Sequence, residues 1–540
     1  MTEKNMTAAG SGFAESVDDL FAEWNNTDRP GAVVAVIKGG EVVHRRGYGM
    51  ANIEHGIANG PDIAYRIASV SKQFLVTLIM LLAEEGRLKL DDEVAAHVPA
   101  FPDYGAPITL RHVLSNTSGV RDFLELLDFC GAGMERPVTT DDLMALIFSQ
   151  RVLNFPPGAR LMYCNSGFLI ASQITEQISG QDIASLLRQR ILEPLDMGNT
   201  RLARTDRDIV ARMASPYLQA ADGTLSKPVF GVPLSLEGGM ISTLDDMVIW
   251  ARNLANPKVG TAEIFSEMAT PAIHTNKTRG IYGLGLLGCE YRGQWTICHG
   301  GLLPGFRTEI LLFPDQDFAV IVIANVDAIE PAAMARRIAD IHLSDILAPP
   351  PPAIEVTGLA DKTGLYHDSE SGELFEISVE DGELMGGAYG AKFRLVPQVP
   401  GWFTYMHPVV DMRLSFAADG AAIEAVISGN KAVYRKVSEG WQPGEIEAYV
   451  GTYRSDELKA DFVIRADDQT LRLQIQGELG RADFTLGPVL PDLFTAAPQG
   501  AQWLAFQPVL FFARNAEGAV EVLVGNGDRT KNLQAAKINL

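Results

Sequence analysis

The 540-residue chain carries 67 acidic against 45 basic side chains, a net charge of −22, and 47% of its residues are hydrophobic. That length implies about two to four domains, since single cores stop growing near roughly 250–300 residues. The acidic excess repels a phosphate backbone and excludes nucleic acid and anionic membrane from the expected partners.

The four cysteines, Cys130, Cys164, Cys289 and Cys298, form no C-x-x-C pair and have no neighbouring ligand set, so no metal site is expected. The first twenty residues lack the apolar stretch of a signal peptide, and a cytoplasmic location with reduced thiols is expected. The longest apolar run, Phe74 to Ala83, is far short of the ~20 residues a membrane span needs and reads as a core helix.

Along the chain, two β-rich runs in residues 31–50 flank Gly39-Gly40 and read as a hairpin. A helix begins near Ser69 and stops at Gly86. Helical periodicity returns at Thr139–Ser149, Gly167–Ile178, Asp182–Leu192 and Asp245–Leu254, between short strands. Thr308–Ala324 reads as a second hairpin and Pro331–Leu347 as a last amphipathic helix. Helices beside a mainly antiparallel sheet make this part α/β or α+β. Pro349 to Pro352 form a stiff spacer. Beyond it only short alternating strands follow, an all-β composition. Gly-x-Tyr opens a strand pattern at Gly364 and again at Gly451, a weak repeat indicating two similar β-domains. The expected division is 1–348, a linker 349–354, and β-domains 355–442 and 443–540.

The signatures of α/β-hydrolases, zincins and P-loop enzymes are missing. Two S-x-x-K matches occur. Ser428 to Lys431 falls where Gly429-Asn430 reads as a hairpin turn, and is structural. Ser69-Val70-Ser71-Lys72 opens the apolar helix, with Ser69 placed like an N-cap or first-turn residue. Residues at i and i+3 share a helix face, so Lys72 sits beside Ser69. A lysine withdrawn from water yields its proton more readily, and the helix dipole favours an alkoxide.

With Tyr163-Cys164-Asn165 and His299-Gly300-Gly301 following in order, the chain resembles the family of serine β-lactamases, D,D-peptidases and D-aminopeptidases. The flanks TLRHVLSNTSGV, EGGMISTLDDMVIW and YGLGLLG fit as well. The resemblance implies Ser69 as an acylated nucleophile and Lys72 and Tyr163 as its proton-transfer partners. It implies Asn165 orienting Lys72, and an oxyanion hole from the N–H groups of Ser69 and Leu302 beyond Gly301. His299 stands where many relatives carry lysine, so a fixed carboxylate-binding charge is lost. His-x-Gly and the two β-domains are closest to the D-aminopeptidase branch. In that branch each C-terminal domain is an eight-stranded antiparallel barrel, and a loop of the last one reaches the active site. The matching loop is about Gly477–Asp483, and Asp483 or Glu478 would pair with a substrate ammonium. The implied substrates are small peptides or amino-acid amides with an N-terminal D-residue or glycine. No cofactor is required, and a homodimer is implied. An esterase or weak β-lactamase on the same site, or a binding module with no activity, are the alternatives.

Overall fold

The computed structural model describes residues 3–350, 358–399, 401–405, 412–438, 440–468, 470–499 and 506–538. Pro351 and Pro352, with the rest of the expected linker to 354, lie outside the described residues. Two compact units emerge: residues 1–92, 168–272 and 281–350, and residues 93–167, 273–280 and 351–540.

The first unit is built on a six-stranded antiparallel sheet. Its strands run in the order Leu287–Tyr291, Gln294–Leu303, Phe306–Phe313, Phe318–Ala324, Ala32–Lys38, Glu41–Tyr48. Both expected hairpins are present. Lys38 pairs Glu41 across Gly39-Gly40, and Phe313 pairs Phe318. The two adjacent strands Phe318–Ala324 and Ala32–Lys38 are apolar almost throughout and buried on both faces, whereas the edge strand Glu41–Tyr48 mixes exposed and buried positions. The helices Leu244–Ala255 and Pro331–His342 pack on this sheet. The last helix ends at His342, and residues 343–347 continue only as turns. The helix expected over Asp182–Leu192 is divided: α from Ile183 to Leu187, π from Arg188 to Leu192, and a final turn Glu193–Leu195. Pro194 lacks an N–H and removes the α-type bond there.

The second unit contains two closed eight-stranded antiparallel barrels, Gly364–His367 through Asn430–Lys436 and Gly451–Ser455 through Leu533–Ile538. Closure pairs first strand with last, Tyr366 with Lys436 and Thr452 with Ile538, and leaves no open edge. The Gly-x-Tyr repeat is structural. Each barrel is preceded by a short helical turn, Leu359–Lys362 or Ile446–Tyr449, that the sequence did not indicate. The repeat tyrosine donates its hydroxyl back to that turn: Tyr366 to the Lys362 carbonyl and Tyr453 to the Tyr449 carbonyl, both at 2.8 Å. Gly364 and Gly451 have φ of 132° and 148°, and a Cβ on either would strike the stem of a last-strand lysine, Lys436 or Lys537.

The second S-x-x-K is a hairpin turn, shifted by one residue from expectation. Ile427 pairs with Asn430, so Ser428 and Gly429, at φ of 49° and 76°, make the turn. The Ser428 hydroxyl is spent on the Leu161 N–H.

Candidate active site

In the first unit the strand Ala64–Arg66 pairs with Met240–Thr243 and leads into a 3₁₀ turn, Ala68–Val70, before the helix Ser71–Glu84. Ser69 therefore stands in the turn ahead of the helix. It is not the N-cap: Val70 holds that position, and no side-chain cap bond forms. The hydroxyl spent on structure is that of Ser71, which donates to the Ala68 carbonyl at 2.5 Å and accepts from the Met240 N–H at 3.1 Å. The Ser69 hydroxyl is left half-buried, 3.1 Å from the Lys72 ammonium.

Ala68, beside Ser69, is left-handed at φ 49°, a conformation costing a non-glycine residue about 1–3 kcal/mol. The 299–301 segment braces it. A Cβ at Gly301 would fall 2.3 Å from the Ile67 carbonyl oxygen and 3.1 Å from the Ala68 Cβ. Only glycine lets this strand come so near the turn carrying Ser69. Leu302 follows with its side chain exposed.

Lys72 is fully buried. It donates to the Glu237 carbonyl oxygen at 2.5 Å and lies 5.1 Å from the centre of the Phe168 ring. The Glu237 carboxyl is buried as well. Its Oε1 accepts from the Ser235 N–H, its Oε2 finds no donor among the described residues, and burial raises its pKa. Glu237 opens the EGGM segment of the sequence, but nothing there indicated that its main chain would hold the lysine.

His299 is 1% exposed. Its Nδ1 donates to the Gly300 carbonyl at 2.6 Å, and a carbonyl can only accept, so the other nitrogen, Nε2, receives the Tyr282 hydroxyl at 2.9 Å. Burial, reinforced by the charge of Lys72, pushes the imidazole pKa down to about 3. The ring is neutral at pH 7. Tyr282 lies in the YGLGLLG flank, where spacing alone gave it no role.

In the second unit Asn116 brackets Tyr163: its carbonyl accepts from the Met162 N–H and its Oδ1 from the Cys164 N–H, both at 2.9 Å. Tyr163 is half-buried with the Arg529 guanidinium over its ring, 5.2 Å from the centre. Cys164 is a packed thiol, pushed by burial up to about 12. Asn165 opens the helix Asn165–Ser179, and both its backbone and its side-chain nitrogens donate to Oδ2 of the buried Asp122. Asp122 and Arg529 went unrecognised in the sequence, since neither belongs to a motif.

The expected loop at Gly477–Asp483 is shorter than anticipated. Strands end at Gly477 and restart at Arg481, so only Glu478–Gly480 turn and Asp483 is a strand residue. The turn lies against the FCGAGM segment, where a Cβ at Gly480 would fall 2.3 Å from the Gly131 carbonyl. Glu478 is exposed, 3.6 Å from Lys459. Asp483 accepts from Gln474 at 2.6 Å and lines a cleft with Arg465, Arg472 and Gln499.

Among the described residues no helix is long and apolar enough to cross a membrane, and no group of three or more His, Cys, Asp or Glu could hold a metal ion.

Comparison with known proteins agrees with this architecture. The family model described as Beta-lactamase matches residues 17–343. A D-aminopeptidase of Brucella ovis is 27% identical over 509 residues, covering 92% of this chain and 93% of its own. One from Brucella anthropi is 28% identical over 506 residues, covering 91% and 92%. Among solved structures, the octameric penicillin-binding protein homologue from Pyrococcus abyssi aligns at TM-score 0.56 and 22% identity, over 88% of this chain and 99% of that one. The D-amino acid amidase from Ochrobactrum anthropi SV3 aligns at TM-score 0.51 and 23% identity, over 63% and 98%.

Proposed function

The chain belongs to the Beta-lactamase family and is a serine hydrolase, and on that premise we propose that it releases N-terminal D-amino acids or glycine from short peptides, amides and esters through an acyl-enzyme on Ser69. The observation that carries this reading is the buried Lys72 ammonium 3.1 Å from the Ser69 hydroxyl. The full-length similarity to D-aminopeptidases, barrels included, supports the substrate class.

In this mechanism the Ser69 oxygen attacks the scissile carbonyl carbon. Its proton passes to the Lys72 and Tyr163 pair, one member of which is in its basic form when it accepts, and backbone N–H groups of Ser69 and Leu302 receive the oxyanion. The C–N bond breaks as the leaving nitrogen takes a proton from the same pair. Water then attacks the ester carbon and gives a proton to the pair; the bond from that carbon to the Ser69 oxygen breaks, the oxygen takes the proton back, and the acid product leaves. Asn165 orients the proton-transfer groups. Neutral His299 provides no fixed charge for a substrate carboxylate. An acid of the 477–483 segment, Glu478 in the turn or Asp483 on the strand, pairs with the substrate ammonium.

Hydrolysis of D-alanine p-nitroanilide, L-alanine p-nitroanilide and a chromogenic cephalosporin by the wild type and Ser69→Ala tests this. Turnover of the D-anilide alone, lost in the variant, is expected. Cephalosporin or ester turnover without anilide turnover would keep the nucleophile and reject the aminopeptidase reading.

A further inference from the structure

The loop between the last two strands of the second barrel is tied to the segment that carries Tyr163. Glu125 accepts from the backbone N–H of Asp528 at 2.6 Å and of Arg529 at 2.9 Å. The Arg529 carbonyl accepts from the Asn154 side chain at 2.8 Å and from the Asp122 N–H at 3.4 Å. The Asn154 oxygen accepts from the Lys531 N–H at 2.7 Å. Donor and acceptor of residue 529 are thus both fixed, and the fixing places its guanidinium over the Tyr163 ring.

That guanidinium is underused. Among the described residues its polar contact is one ion pair, Nε to Asp528 at 3.4 Å, and it makes no hydrogen bond. Its side chain is 29% exposed. The nearby acids do not neutralise it fully. Asp122 is committed to Leu124 and Asn165, Glu125 to the loop backbone, and Asp528 is 68% exposed and screened by water. A planar cation with free parallel donors on an aromatic face suits a carboxylate.

We propose that Arg529 is a binding site for the carboxylate of the leaving group, which makes peptides with a free C-terminus one residue beyond the scissile bond preferred substrates. The proposal rests on the reading of Tyr163 as a proton donor to the leaving nitrogen. In an α-amino-acid leaving group a single α-carbon separates that nitrogen from the carboxyl carbon, so a carboxylate follows wherever Tyr163 meets the nitrogen.

Equilibrium binding of D-alanyl-glycine and D-alanyl-glycinamide to full-length Ser69→Ala protein, by calorimetry, tests this with Arg529 intact, Arg529→Lys and Arg529→Gln. The expected result is that Arg529→Gln weakens the free dipeptide about tenfold or more and changes the amide by less than about twofold. Arg529→Lys falls between. Equal weakening of both ligands would assign Arg529 a purely structural role and overturn the proposal, as would unchanged or undetectable binding of the dipeptide. Turnover of both compounds by the Ser69 enzyme is measured in parallel. Selective binding without turnover would reject the catalytic reading and leave the carboxylate site standing.

Discussion

The Lys72 ammonium lies 3.1 Å from the Ser69 hydroxyl oxygen, inside a helix that buries the lysine completely. It also donates to the Glu237 carbonyl, which can only accept, so this bond fixes Lys72 in place. Lys72→Met is expected to slow fluorophosphonate labelling of Ser69 by about 10²–10⁴-fold, the usual size of an acid–base contribution. Labelling at the wild-type rate would remove Lys72 from the activation of Ser69.

Neutral His299 makes stability depend on pH with a definite sign. Its pKa is about 3 in the folded chain and near 6.5 when unfolded, so between those values the unfolded chain binds the extra proton. The contribution is intact above about pH 6.5 and is lost toward pH 3, at up to ~1.4 kcal/mol per pH unit. Buried Glu125 and Glu309, each raised by burial to about 7, act in the opposite direction between about 4.5 and 7. The test is therefore the difference between wild type and His299→Gln in urea midpoints. The wild type should lose stability faster than the variant as pH falls from 6.5 to 4.

Tyr282→Phe removes the donor to His299 Nε2 while keeping the ring. A buried acceptor deprived of its partner costs about 1–3 kcal/mol. A lower melting temperature is expected, together with reduced kcat/KM as the strand bearing Gly301 loses its anchor. An unchanged melting temperature would show that the bond contributes nothing.

Arg121 is fully buried and holds the second unit together. It donates to Gln150, Glu457 and the carbonyls of Lys531 and Asn532. Arg121→Met should cost about 3–5 kcal/mol, because Glu457 loses its partner and several acceptors are stranded. Hydrogen exchange should show the loss as faster opening around residues 121–165 and 527–532.

The four thiols should separate by reactivity. Cys289 is lowered to about 6 by its hydrogen bond with the Cys298 thiol, with Thr296 adding to it. Burial pushes Cys130 and Cys164 up to about 12. Iodoacetamide at pH 7 should alkylate Cys289 first, with Cys130 and Cys164 unlabelled by mass spectrometry. Cys298→Ala should move the pH midpoint of Cys289 alkylation upward. Equal labelling of all four in the folded chain would contradict these environments.

The sequence by itself determined the parts that depend on near neighbours. Ser69 and Lys72 are three residues apart, and the 3₁₀ turn running into the helix keeps them adjacent as the spacing predicts. Gly-x-Tyr at 364 and 451 marks the barrel starts because a tyrosine bonding four residues back is local geometry. Boundaries were less secure where one residue alters hydrogen bonding, as at Pro194 and at the Ser428-Gly429 turn. Only the tertiary structure decided what surrounds the chemistry. The Glu237 carbonyl reaches Lys72 across 165 positions. Arg529 meets Tyr163 because a barrel loop is held by Glu125, and Asp122 meets Asn165 because the starts of two helices, Phe123–Phe129 and Asn165–Ser179, come together. No periodicity encodes such pairings. They arise when buried polar groups must find partners within a closed core, wherever those partners lie in the chain.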